Sequence, residues 1–153
     1  MNKGTRWALA LAFYILTTVY MVMIFYLSSL SSIDQPGPLG KLSNVDKLEH
    51  SVEFLVLGLL LFFSFHYTAS AKIRDHAWAM AIMVGILYAI SDEVHQIFVP
   101  DRTADLLDLL VDSAGISVAS MVGVWMSERR TDNVASSQAR PVAIDGNRTD
   151  SEE

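Results

Sequence analysis

Residues 7–30 read WALALAFYILTTVYMVMIFYLSSL, 24 positions without one charged side chain. A helix rises about 1.5 Å per residue, so about 20 apolar residues cross the roughly 30 Å hydrocarbon layer of a bilayer. Lys3 and Arg6 stand before the run, an arrangement that also opens secretory signals. The apolar part of a signal is only about 7–15 residues long, so this stretch reads as a retained transmembrane helix.

Three further runs follow the same rule, and the expected fold class is an all-α membrane protein, a bundle of four transmembrane helices. The expected spans are residues 7–30, 44–67, 77–99 and 103–126. Pro36, Gly37, Pro38 and Gly40 break the chain after the first. Ser43-Asn44-Val45-Asp46 has the spacing of a capping box and opens the second, with Asp in place of the usual Glu. The polar stretch Thr68–His76 separates the second and third, and Pro100 closes the third. The transmembrane domain is expected over residues 1–127. Residues 128–153 have no aromatic side chain. They cannot bury enough apolar surface to offset the entropy of ordering them, so a disordered cytoplasmic tail is expected there. The chain is 52% hydrophobic with a formal net charge of −6 and no cysteine. This composition argues against nucleic-acid binding and excludes disulfides, thiolate catalysis and sulfur-ligated zinc.

Orientation is read from lysine and arginine. With the N-terminus inside, Lys3, Arg6, Lys72, Arg74, Arg129 and Arg130 flank the inner ends, and Lys41, Lys47 and Arg102 the outer ends. Six against three places both termini in the cytoplasm. Three charged segments then share the outer face. They are Asp46-Lys47-Leu48-Glu49-His50 with Glu53, then Asp92-Glu93-Val94-His95-Gln96, then Asp101-Arg102 followed by Asp105, Asp108 and Asp112.

Helical spacing turns these segments into faces. Asp46, His50 and Glu53 share one side of the second helix. On the third, the small residues Ala77, Ala81, Gly85 and Ala89 lead to Glu93 and Gln96. On the fourth, Asp108 and Asp112 continue into Gly115, Ala119 and Gly123. Small residues every fourth position let membrane helices approach closely. The third and fourth helices are therefore expected to be each other's nearest neighbours along Gly85, Gly115, Ala119 and Gly123. Glu49, Asp101 and Asp105 read as solvated flanks, Lys47 as a snorkelling side chain, and His66 and His76 as structural. Glu53, Asp92 and Asp112 lie at or inside apolar segments, where a charge costs about 2.5–3.5 kcal/mol. A functional polar cluster is expected there.

Nine acids against two permanent cations cannot form a simple phosphate cradle. The surplus is resolved by protonated carboxyls, by a bound metal with His50, Glu93 and Asp108 as candidate ligands, or by a cationic partner. No particular cofactor follows from the residues.

The pattern Asp46-Lys47-x-x-His50, then Asp92-Glu93-x-His95-Gln96-x-Phe98-Val99-Pro100-x-Arg102, then Leu107-Asp108 and Gly115 resembles the VanZ-like family. The resemblance covers roughly residues 46–123. It implies a small bacterial membrane protein with a cell-envelope role, in a family named for a teicoplanin-resistance protein. It makes Lys47, His50, Glu93, Gln96, Arg102 and Asp108 the first site candidates. Two positions depart from the pattern: Asp112 stands where the family is expected to carry Asn, and Asp101 where Gly is common.

The leading functional expectation is non-enzymatic. The polar cluster would bind a lipid-linked envelope component, such as a cell-wall precursor, or an amphiphilic antibiotic such as a glycopeptide, with membrane lipids around it. A membrane-embedded hydrolase or transferase acting on a lipid head group is the alternative, drawing on His50, Asp92, Glu93, His95 and Asp108 as acid–base groups or metal ligands. A proton-coupled transporter is the third reading.

Overall fold

The structure is a computed structural model that describes residues 2–30, 43–100 and 102–138, the side chains of 43–50, 134, 135, 137 and 138 excepted. Five helices follow in chain order: α1 Lys3–Ser28, α2 Ser43–Tyr67, α3 Ala71–Asp75, α4 Ala77–Gln96 and α5 Leu106–Gln138. Among the described residues there is no strand. Three helical segments are long and apolar enough to cross a membrane: Lys3–Ser28, Ala77–Gln96 and Leu106–Asn133. The apolar part of α2, Ser51–Tyr67, is shorter.

Helix ends differ from the expected ones for local reasons. α1 starts four residues before Trp7, at Lys3, because the Asn2 side chain accepts the Thr5 N–H at 2.7 Å. The hairpin between the second and third spans holds a short helix, α3, capped by Ser70. α4 stops at Gln96 rather than Val99. Phe98 and Val99 instead donate to the carbonyls of His95 and Gln96, tightening into three-residue turns before Pro100. α5 begins at Leu106 rather than Thr103, and it runs through residues 128–138, where a disordered tail is expected. Residues 139–153 lie outside the described residues.

The small-residue stripes point inward as expected, for Ala77, Ala81, Gly85 and Ala89 of α4 and Gly115, Ala119 and Gly123 of α5 are all buried. The main partner of the α5 stripe is not the expected one. α5 packs most extensively against α2, not α4, and α2 touches α1, α4 and α5. A Cβ on Gly58 of α2 would stand 2.9 Å from the Ile116 Cα and carbonyl oxygen of α5. A Cβ on Gly115 would meet the Ser51 carbonyl oxygen at 3.1 Å, and one on Gly123 would run into the Phe62 ring. Gly85 of α4 instead faces the Ile116 side chain. Small residues at i, i+4 say that a helix comes close; they do not say which one. The short α4–α5 connection makes those two helices neighbours, and the single glycine in the apolar run of α2 makes α2 and α5 the closest pair.

α1 completes the bundle from outside. Phe13 stacks on Phe63 and Tyr67 of α2 with ring centroids 5.3 and 5.5 Å apart. Ser64 Oγ donates its only proton to the Leu60 carbonyl, so Thr17 Oγ1 donates to Ser64 Oγ across 2.9 Å. Tyr88 of α4 donates to the Met21 carbonyl at 2.6 Å. The outward side of α1 carries exposed Trp7, Leu11, Ile15, Val19, Val22 and Tyr26. An apolar face this continuous belongs in lipid rather than water.

Candidate functional site

α4 brings Asp92, Glu93 and Gln96 to its last turns on the face that also carries Ala89, so helical periodicity puts these polar side chains on the packed side. They are 3%, 7% and 3% exposed. α5 carries Asp112 in the same way, on the face of Gly115 and Ala119, and it is 1% exposed. Glu53 of α2, Asp92 and Glu93 of α4, and Asp108 of α5 all lie close enough to act electrostatically on Asp112. Five carboxylates from three helices therefore converge at one end of the bundle.

Two described hydrogen bonds hold members of this cluster in place. Gln96 Nε2 donates to Asp92 Oδ2 at 3.1 Å, which fixes the amide one turn from the acid. Glu93 Oε2 accepts the backbone N–H of Asp105 at 2.8 Å, holding the start of α5 against the end of α4. Asp105 is more than a solvated flank: its Oδ1 accepts the Leu107 N–H at 2.8 Å and caps α5. Asp92 Oδ1 and Asp112 Oδ1 are buried and find no hydrogen-bond donor among the described residues.

The end of α1 joins from the side, a contribution that sequence spacing missed. Ser29 Oγ lies 2.9 Å from His95 Nε2, and the Phe25 ring stacks on the same imidazole at 4.2 Å between centroids. Ser29 Oγ also donates to the Phe25 carbonyl at 2.6 Å. That uses its one proton, so His95 Nε2 carries the hydrogen of the Ser29 contact. Arg102 Nε donates to the Leu30 carbonyl at 3.4 Å, just past the negative end of the α1 dipole. The signal for this contribution is the Ser28-Ser29 pair that closes an otherwise apolar run. The side chains of Asp46, Lys47 and His50 lie outside the described residues. Among the described residues no three His, Asp or Glu groups come together as a metal site.

The acids of α4 and α5 thus face inward around a short turn carrying Pro100 and Arg102. A family model described as VanZ/LLP1 matches residues 11–127. The chain belongs to the VanZ/LLP1 family. The match reaches upstream of the motif residues to take in α1 from Leu11 onward, the helix whose end supports His95 and Arg102. No curated protein and no solved structure matches the chain.

Proposed function

We propose that this VanZ/LLP1 protein is a four-span protein of the bacterial inner membrane, termini in the cytoplasm. On this reading it binds a lipid-linked or amphiphilic envelope component in the carboxylate cluster at its extracytoplasmic face. The observation that carries the reading is the pair of buried oxygens, Asp92 Oδ1 and Asp112 Oδ1, without a donor among the described residues. A buried acceptor left unsatisfied costs about 1–3 kcal/mol, more if charged. A ligand bringing ammonium, amide or hydroxyl donors would satisfy both oxygens. Exposed Ile97, Phe98, Leu106 and Leu107 flank the cluster and offer apolar surface to the ligand's lipid part. A glycopeptide, an amphiphile rich in such donors, is one ligand of this chemistry, and reduced glycopeptide susceptibility would be its phenotype. The four-span count is supported by α2 itself. It packs against α1, α4 and α5, so the hub of three spans crosses with them, its charged first turns in the head-group layer.

The test is equilibrium binding to purified protein across lipid-linked wall precursors, phospholipids and glycopeptides, with Asp112→Asn alongside. Binding of one class that weakens in the variant supports the reading. No binding in any class rejects it.

A further inference from the structure

The opposite end of the bundle carries charge of the other sign. α4 rises roughly 30 Å over its 20 residues, which separates the carboxylate cluster from the start of α1 and the α2–α4 connection. There Lys3, Arg6, Trp7, Ala69 and Arg74 line a cleft of about 350 Å³. Three of its five lining residues are cations. Arg6 Nη2 donates to the His66 carbonyl at 3.4 Å, while its Nε is buried without an acceptor among the described residues. Arg6, Arg74 and Arg130 all lie within electrostatic range of His66. Among the described residues Asp75 lies 3.8 Å from Arg74 Nε and is 65% exposed, so it offsets little of this charge.

The position of the cations is also costly for the helix that carries them. The N-terminus of a helix holds about half a positive charge and favours acids. The first turn of α1 has no acid and begins with Lys3, with Arg6 close behind. An anion in the cleft would offset the repulsion between these charges and the dipole. Trp7, 62% exposed at the cleft's edge, is the side-chain type that settles at the head-group level of a bilayer.

We propose that this cleft is a binding site for the phosphate head group of an anionic phospholipid. Arg6, Lys3 and Arg74 supply the positive charge that attracts the phosphate, and the acyl chains run down the apolar outer face of α1 past Leu11. The site is independent of the carboxylate cluster and of any ligand bound there.

Native mass spectrometry of the full chain in neutral detergent tests it, with phosphatidylglycerol and phosphatidylcholine in competition. Phosphatidylglycerol should be retained preferentially. Lys3→Ala combined with Arg74→Ala, both on the rim, should weaken its retention by about tenfold at an unchanged melting temperature. Lys72→Ala, on the same short helix but outside the cleft, should retain the lipid as wild type does. Equal retention of the two lipids, or an equal loss in Lys72→Ala, overturns the proposal. Millimolar inorganic phosphate that displaces the lipid completely would make the site one for free phosphate, and overturns it as well.

Discussion

Asp112 is a buried acid that stands where the family pattern leads one to expect Asn. The amide has the same shape and carries no charge, so Asp112→Asn removes the cost of an ionisable group inside an apolar segment, about 2.5–3.5 kcal/mol if charged. The variant should melt at the wild-type temperature or above it. If the carboxylate meets a donor on a ligand, the same variant should bind about tenfold more weakly, the usual worth of a hydrogen bond to a charged group. Unchanged binding would reduce Asp112 to packing. Glu93 also has a structural role: it accepts the Asp105 N–H and holds the start of α5. Glu93→Ala should destabilise by about 1–2 kcal/mol, as the loss of a helix cap does. Glu93→Gln, which keeps an acceptor, should cost much less. Hydrogen exchange at the Asp105 and Leu107 amides, faster in the alanine variant alone, would show it.

A close approach of backbone to backbone lies at Gly58, on the seam between α2 and α5. The atoms a Cβ would meet are the backbone of Ile116 at 2.9 Å and the Ala119 Cβ at 3.0 Å. Backbone cannot rotate away, so the two helices must part. Gly58→Ala should therefore cost about 1–3 kcal/mol despite the better helix propensity of alanine. Gly4 is the comparison. A Cβ there meets only the Asn2 side-chain oxygen at 3.6 Å, and Gly4→Ala should be neutral or gain up to about 1 kcal/mol. Thermal unfolding in detergent separates the two, and equal melting temperatures would contradict the seam.

The bundle as a whole is a dipole of side chains, acids converging at one end and Lys3, Arg6, Arg74 and Arg130 at the other. In the proposed orientation, which the positive-inside tendency favours, the carboxylate cluster lies outside. A reporter fused at residue 40 should be extracytoplasmic and one at residue 130 cytoplasmic. A cytoplasmic signal at residue 40 would turn the molecule over and move the cluster to the inner face.

Much of this was legible in the chain before any helix was packed. Long uncharged runs specify helices in lipid, because a backbone without water must bond to itself. Period-four spacing placed Glu93, Gln96 and Asp112 on inward faces, since side-chain direction is a local property of a helix. The Asp-Glu-x-His-Gln and Pro-x-Arg spacings carried the family. What remained hidden was which surfaces approach most closely. The stripe Gly115–Ala119–Gly123 announced a close approach, yet its partner is α2, chosen by Gly58 and by Phe62 from a distant part of the chain. The Ser29–His95 contact joins residues 66 positions apart, and nothing in the spacing of either predicts it. Periodicity is written along one helix, whereas contact between helices depends on the shapes of two, and only tertiary structure brings those together.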